Sequence, residues 1–266
     1  MLIFFDIDGT LIDEKKRKMP ESAAEAIRQA RENGHFCMIN TGRTRCLVNE
    51  KVYGDTEFDG LLLGCGTMIT CHGETIFHKT FSAEQAERII GALKGYRIDA
   101  VLEGAQNNYI CSPGDFFYPA FGAYLNRLDG YLKQIGADGY GSYEEAVGRF
   151  DKFYAYTEAR EQMAAFERDF KEELDFIDRQ GGFFEVMPKG CSKASAMEQA
   201  AACLGVPMDS TAAVGDSSND IQMIEWAGIG IAMGNATEQV KRAADYVTTE
   251  VDRDGIRNAL RWLGCL

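Results

Sequence analysis

The sequence predicts an α/β fold in which a parallel sheet carries helices on both faces and an α+β segment interrupts the sheet domain. Two observations support this fold class. Strand-like and helix-like segments alternate near both ends of the 266-residue chain, a pattern typical of βαβ units. The middle of the chain breaks this alternation with short aromatic or β-branched runs between helices. The sheet domain is therefore expected to be assembled from two separated parts of the chain.

The N-terminal part begins with a buried strand over residues 1–6, because its apolar run is continuous rather than alternating. A helix is predicted next from four apolar residues at helical spacing: Ala23, Ala26, Ile27 and Ala30. Asn33-Gly34 supplies the end of that helix. The segments that follow are a strand at 35–40, a helix-like segment to about Lys51 and a strand at 61–66.

The late part of the chain repeats the alternation. Helices are predicted at 192–204, 218–227, 236–244 and 252–263, and strands at 211–216 and 228–234. The middle instead holds FDKFYAYT (150–157), LDFID (174–178) and GFFEV (182–186). We therefore predict a discontinuous Rossmann-like core domain, residues 1–80 and 187–266, with an α+β cap domain inserted at 81–186.

The amino-acid composition indicates which classes of binding partner are disfavoured. The net charge is −13, from 28 Lys and Arg against 41 Asp and Glu, which disfavours binding to nucleic acid or to an anionic membrane surface. No apolar run reaches membrane-spanning length, and the apolar run after Met1 is too short for a signal peptide. The eight cysteines form no CxxC pair and are expected to be reduced, so we predict a cytoplasmic protein. The oligomeric state stays open.

Polar side chains follow the predicted strands at the points where those strands end. The three strand ends read Asp6-Ile7-Asp8-Gly9-Thr10, Asn40-Thr41-Gly42-Arg43 and Gly215-Asp216-Ser217-Ser218-Asn219-Asp220, and the late helix opens with Lys189-Gly190-Cys191-Ser192-Lys193. In an open parallel sheet, ligands bind at the carboxyl ends of the strands. We therefore expect four carboxylates, a hydroxyl and one or two amines to converge in one crevice.

This set of side chains suits phosphoryl transfer. Carboxylates at close range repel one another, and a hard dication such as Mg²⁺ removes that conflict while also binding a substrate phosphate. One carboxylate can act as the nucleophile through an aspartyl-phosphate, and a second can act as general acid and base. The Lys ammonium and the Thr hydroxyl can hold the phosphoryl oxygens, and Gly9 leaves room for backbone amides near them.

DIDGT, NTGR, SKASA and GDSSND, in that order, resemble the four motifs of the haloacid dehalogenase superfamily of phosphohydrolases. The insertion between the second and third motifs and the tail GNATEQVKRAADYVTTEVDRDGI are similar to those of its Cof-type branch. The resemblance covers both core segments, and the cap domain by position and rough content. Cys65 stands in Gly64-Cys65-Gly66 where relatives commonly have Asn.

The resemblance implies a role for each matching residue. Asp6 matches the nucleophile, and Asp8 matches the general acid and base whose backbone carbonyl also ligates the metal. Asp216 matches an acidic metal ligand, and Asp220 the second acid that steadies the metal shell. The residues implied to bind phosphate are Thr41, Gly42, Lys193 and Asn219, of which Thr41 and Lys193 are also expected to be catalytic. The residues implied to hold the metal are Asp6, Asp8, Asp216 and Asp220.

The function predicted from these residues is a Mg²⁺-dependent phosphatase for small phosphorylated metabolites, with sugar phosphates as the expected class. One alternative is a phosphosugar mutase, phosphomannomutase-like, on the same core. Alternatives of another class are a DxD metal-dependent glycosyltransferase, in which the second acid cluster has no role, and a non-enzymatic phosphate-binding regulator. Further candidates for contact with the leaving group are Arg43 and, in the cap, Glu103, Asn107 and Glu185, and Lys189 is an alternative to Lys193.

Overall fold

The computed structural model describes residues 1–13, 16–112, 115–137 and 139–266. These residues form two compact units. The first unit comprises residues 1–42, 50–77 and 192–266, and the second comprises residues 43–49 and 78–191. The domain boundaries at residues 80 and 187 stay a prediction.

The first unit is built on an eight-stranded sheet. Its elements before the second unit are β1 (Leu2–Phe5), α1 (Glu21–Glu32), β2 (Phe36–Asn40), α2 (Glu50–Tyr53), β3 (Gly60–Leu63), β4 (Met68–Cys71) and β5 (Glu74–His78). Its elements after the second unit are α6 (Lys193–Leu204), β12 (Thr211–Gly215), α7 (Ile221–Trp226), β13 (Ile229–Ala232), α8 (Glu238–Ala243), β14 (Tyr246–Val247) and α9 (Gly255–Trp262).

The strand order of this sheet is β14-β13-β12-β1-β2-β3-β4-β5. The pairs from β14 to β3 are parallel, whereas β4 runs antiparallel to β3. β1 is fully buried, and its Phe5 lies opposite Ile39 of β2 and Val214 of β12. The carboxyl ends of these three strands therefore meet at one edge of the sheet.

The helices that flank the sheet follow the patterns read from the sequence. α1 buries the predicted stripe of Ala23, Ala26, Ile27 and Ala30, so that prediction is confirmed. α6 begins after the N-cap Ser192, whose hydroxyl accepts a hydrogen bond from Ser195 N at 3.0 Å, and it ends at Gly205 in the left-handed region. Helices lie on both sides of the sheets, which confirms the predicted α/β fold class.

The segment before Lys51 differs from its prediction. In place of one helix, it forms a 3₁₀ turn at Arg45–Leu47 and the short helix α2. Thr44 and Val48 flank the turn with extended backbones, a conformation that β-branched residues favour. A similar break occurs later, where a 3₁₀ turn at Ser218–Asp220 precedes α7.

The second unit contains a six-stranded sheet of order β10-β11-β9-β6-β7-β8. Its elements are α3 (Ala83–Gly95), β6 (Asp99–Glu103), β7 (Asn108–Ile110), α4 (Pro119–Ile135), β8 (Tyr140–Ser142), β9 (Lys152–Tyr156), α5 (Arg160–Phe170), β10 (Leu174–Asp178) and β11 (Phe183–Pro188). Alternate residues of β9 enter different cores: Phe153 packs with residues of α3 and α5, and Tyr156 packs with Phe121 of α4. This unit is the α+β insertion that the fold class predicted.

Among the described helices of both units, none combines the length and the apolar character that a bilayer crossing requires. All eight cysteines lie in the described part of the chain, and each is a free thiol there.

Candidate active site

The candidate site forms where β1, β2 and β12 end. Asp6 directly follows β1, and its backbone N–H donates to the Val214 carbonyl at 3.0 Å, which continues the β1–β12 pairing by one residue. Asp216 directly follows β12, and Lys193 is the first residue of α6. Parallel pairing thus brings together residues from opposite ends of the chain.

Lys193 lies at the centre of the site. Its Nζ is 2.6 Å from Asp6 Oδ1 and 2.6 Å from Asp220 Oδ1. All three side chains are buried, with exposed fractions of 1%, 7% and 0%. A buried lysine between two carboxylates is a costly arrangement that folding alone does not require, because apolar residues of similar volume often stabilise a core equally well.

The charges of the site shift the pKa values of its groups. Burial raises the pKa of Asp6 well above its usual range, Lys193 partly counters this rise, and Asp220, Asp8 and Asp216 add to it. Burial lowers the pKa of Lys193, but Asp220 and Asp6 outweigh that effect, so its net shift is upward. The environment thus favours the charged form of Lys193, and Asp6 lies in a field that a further positive charge would relieve.

Asp220 organises the loop after β12. Its Oδ2 accepts hydrogen bonds from the backbone N–H groups of Asp216 at 3.0 Å and Ser217 at 2.9 Å. Together with Lys193 on Oδ1, these donors occupy both carboxylate oxygens. Asp220 therefore fixes both the ammonium group and the backbone that presents Asp216.

The loop that carries Asp8 and Gly9 packs directly against Asp216. Thr10 Oγ1 donates to Asp216 Oδ1 at 3.0 Å. Gly9 has a φ of +75°, and a Cβ built on it would lie 2.3 Å from Asp216 Oδ2. Only glycine allows this approach at this backbone angle.

The acidic residues fit a hard divalent cation. Among the described residues, Asp6, Asp216 and Asp220 each offer a carboxylate oxygen, and these three atoms lie within 4.8 Å of one another. Oxygen donors of this kind are the ligands that Mg²⁺ prefers. The carboxylate of Asp8 lies outside this cluster, although it is near enough to Asp6 to raise the pKa of Asp6.

The comparisons with known proteins agree with this geometry. A family model described as haloacid dehalogenase-like hydrolase matches residues 3–260. The chain belongs to this family. Phosphatase YwpJ of Bacillus subtilis (strain 168) is 28% identical over 291 residues, covering 98% of this chain and 99% of YwpJ. 5-Amino-6-(5-phospho-D-ribitylamino)uracil phosphatase YcsE of the same strain is 28% identical over 260 residues, covering 98% of this chain and 94% of YcsE.

A solved structure of this superfamily is similar along the whole chain. The structure of the HAD subclass IIB sugar phosphatase BT4131 matches with a TM-score of 0.84 and 25% identity, covering 100% of this chain and 99% of that protein. These findings confirm the predicted membership of the haloacid dehalogenase superfamily, Cof-type branch. They also confirm the prediction of an enzyme, a phosphoric monoester hydrolase.

The phosphate-binding residues expected of this hydrolase lie on the loops of the first unit. Thr41 and Gly42 follow β2, and Thr41 is buried, with its backbone N–H donating to Leu62 and its carbonyl accepting from Cys65. Asn219 lies in the 3₁₀ turn after Asp216, where its Oδ1 accepts from the Ser217 hydroxyl at 2.5 Å. Their phosphate-binding roles stay predictions.

Cys65 occupies a position with an unusual backbone. Its φ is +53°, and it is buried between Gly64 and Gly66, which also have positive φ. Asn enters this left-handed region more readily than Cys does. The backbone at this position therefore suits the Asn that the resemblance implies there better than it suits Cys65.

Lys189 and the further candidates for contact with the leaving group make contacts within the second unit. Arg43 donates to the Tyr131 hydroxyl, and Lys189 pairs with Asp175 at 2.7 Å on the surface. Asn107 Oδ1 accepts from the Asn108 N–H at 2.9 Å. Glu103 and Glu185 are buried and both pair with Lys152.

Two residues with structural contacts in the site were assigned no role from the sequence. Thr10 binds Asp216, as described above, and Asn235 Nδ2 donates to the Gly9 carbonyl at 2.7 Å. Asn235 Oδ1 in turn accepts from Val251 N at 3.1 Å, so it ties the first loop of the site to the tail. Thr10 had a signal in its position next to the two acids, whereas an Asn in a turn is too common to stand out.

Proposed function

We propose that this chain is a Mg²⁺-dependent phosphatase that hydrolyses small phosphorylated metabolites, with sugar phosphates as its substrate class. The observation that carries this proposal is the buried Lys193 between Asp6 and Asp220. A carboxylate oxygen of Asp216 lies within 4.8 Å of an oxygen of each of these two acids, so one metal ion could contact all three. The set combines a nucleophile, a fixed cation and carboxylates for a metal, which are the parts that phosphoryl transfer requires.

The names of the relatives support the substrate class. YcsE is a phosphatase named for a phosphorylated ribityl compound, and BT4131 is a sugar phosphatase. Both names describe a phosphate ester on a carbon chain rich in hydroxyl groups. We extend this class of substrate to the present chain.

In the proposed reaction, an Asp6 carboxylate oxygen forms a bond to phosphorus as the bond to the leaving oxygen breaks. Asp8 gives its proton to that oxygen, and an aspartyl-phosphate results. The Asp8 carboxylate then takes a proton from water, whose oxygen attacks phosphorus and releases Asp6 and phosphate. Lys193 holds charge on the phosphoryl oxygens, aided by Thr41, Gly42 and Asn219.

The residues suited to hold Mg²⁺ are Asp6, Asp216 and the backbone carbonyl of Asp8. When bound, the ion supplies positive charge that offsets the repulsion among the carboxylates and the phosphate. Asp220, whose oxygens already accept hydrogen bonds from Lys193 and from the loop, steadies the metal ligands rather than replacing one. We further propose that the inserted α+β unit acts as a cap domain that selects the leaving group.

Asp6→Asn tests the proposal. The variant keeps the shape of the side chain but cannot attack phosphorus, so we expect it to fold and to release no phosphate from p-nitrophenyl phosphate with Mg²⁺ present. Asp55→Asn changes an exposed acid of the same unit and is expected to keep full activity. Wild-type turnover by Asp6→Asn would disprove the mechanism. Phosphate returned to a sugar, with little released and a bisphosphate needed as activator, would instead indicate the mutase.

A further inference from the structure

Asn40 is a fully buried amide at the end of β2 that the proposed reaction does not use. Its Nδ2 donates to the Lys193 carbonyl at 2.9 Å and contacts Met223 Sδ at 3.5 Å. Among the described residues, no donor reaches its Oδ1. A buried amide with an unsatisfied oxygen lowers stability, so packing does not explain its presence in the core.

The two contacts of Asn40 involve the two elements that hold the site together. Lys193 begins α6, and its ammonium group lies between Asp6 and Asp220. Met223 lies on α7, which directly follows Asp220. One amide group therefore joins the end of β2 to the start of α6 and to α7.

The register of the sheet shows why this link affects the site. Phe5 of β1 lies opposite Ile39 of β2, so Asp6 and Asn40 are the next residues of two parallel neighbours. Fixing the Lys193 backbone to β2 thus fixes it relative to the strand that carries Asp6. The long lysine side chain would otherwise lose its position as the first turn of α6 moved.

On the basis of the proposed function, we infer that Asn40 is a positioning residue that keeps the Lys193 ammonium group between Asp6 and Asp220. It touches no reacting atom in this role and acts through the backbone of Lys193. An apolar side chain could fill the same volume, but it could not hold the carbonyl.

Asn40→Ala tests the inference when measured beside Ile39→Ala. The Ile39 side chain is buried and neighbours Asn40 in the strand, but it points to the other face of the sheet. Both variants lose stability. At a temperature where both are fully folded, only Asn40→Ala should lower kcat, on the order of 10- to 100-fold, with a smaller change in KM. Equal losses of kcat in the two variants would overturn the inference.

A double-mutant cycle on unfolding tests the same link without any assay of activity. Asn40→Ala and Lys193→Met are combined, and unfolding by urea is followed in EDTA. If Asn40 places the ammonium group, Asn40→Ala matters less once that group has been removed. The change that Asn40→Ala makes in the equilibrium constant of unfolding should then be about fivefold smaller in the Lys193→Met background than in the wild type. Additive effects would overturn the inference. An inactive wild-type enzyme would disprove the proposed function and leave this cycle to decide on Asn40.

Discussion

At the scale of single residues, Gly9 shows how closely the site is packed. It has a positive φ, and a Cβ at this position would meet the Asp216 carboxylate at 2.3 Å. Gly34 has a similar φ of +86°, yet nothing lies within 4 Å of the Cβ built on it. A substitution at Gly34 therefore measures the cost of the backbone angle alone, whereas one at Gly9 adds the cost of the contact with Asp216.

We expect Gly9→Ala to abolish most phosphatase activity because the new methyl group displaces Asp216. Gly34→Ala should keep its kcat and lose about 1 kcal/mol of stability, the usual cost of a side chain in the left-handed region. Activity on p-nitrophenyl phosphate and urea unfolding of both variants check this prediction. Full activity of Gly9→Ala would show that Asp216 can move without consequence.

The contrast between predicted and unpredicted site residues has a physical basis. Asp6 could be identified from the sequence because acids that follow an apolar strand are a local signal. Lys193 was preferred to Lys189 because it lies in the SKASA motif. Thr10 and Asn40 stand in the strand-end motifs, but nothing in those motifs assigns either residue its contact, and Asn235 lies outside them. Their roles depend on partners distant in the chain, and a polar residue beside a turn is ordinary without those partners.

At the scale of secondary structure, buried strands were easier to predict than edge strands. β1 and β12 are buried along their whole length, so each reads as a continuous apolar run. β5 is mostly exposed and β14 has two residues, so neither produces a clear pattern. The fold class could be predicted because the buried central strands define it. The edge strands β5 and β14, which were not predicted, do not change it.

Three neighbouring strands of the second unit bury an unbalanced set of charges. Lys152 of β9 pairs with Glu103 of β6 at 3.0 Å and with Glu185 of β11 at 2.6 Å. Burial raises the pKa of Glu103, Lys152 opposes this rise, and Glu185 adds to it. The folded protein thus holds a proton on Glu103 more tightly than the unfolded chain does. Glu103 therefore contributes to the free energy of unfolding at acidic pH, and this contribution is lost as the pH rises through the raised pKa.

Glu103→Gln should therefore gain stability relative to wild type as the pH rises above 4.5, the usual value for this side chain. It leaves one lysine paired with one glutamate. Lys152→Met should instead lose about 3–5 kcal/mol at neutral pH because it leaves two buried carboxylates without their cation. Urea unfolding, followed as the pH is raised from the acidic to the neutral range, measures both effects.

The exposed Lys189–Asp175 pair provides the control for that experiment. Lys189→Met removes an ion pair whose lysine side chain is 55% exposed, so its effect should stay within about 1 kcal/mol. If Glu103→Gln and the wild type showed the same dependence of stability on pH, the change of charge on Glu103 would not be the cause of that dependence. Similar losses in Lys152→Met and Lys189→Met would contradict the importance of burial.

At the scale of the whole molecule, the acids of the site connect distant parts of a discontinuous unit. Asp6 follows the first strand, and Asp216 lies beyond the whole inserted unit. The chain also carries a net charge of −13, so acids brought together on folding add to an existing repulsion. A dication held between them would favour the folded first unit over the unfolded chain.

We therefore expect Mg²⁺ to stabilise the protein by mass action, because the carboxylates lie within ligand distance only after folding. At a concentration 100-fold above its dissociation constant, the gain should be about 2.7 kcal/mol, and EDTA should remove it. Asp216→Asn should lose most of this gain, whereas Asp55→Asn, on the surface of the same unit, should keep it. Thermal unfolding of the three proteins with Mg²⁺ and with EDTA measures the difference. A shift of equal size in Asp216→Asn and wild type would place the binding site elsewhere, since the Asp216 carboxylate would then contribute nothing to the affinity.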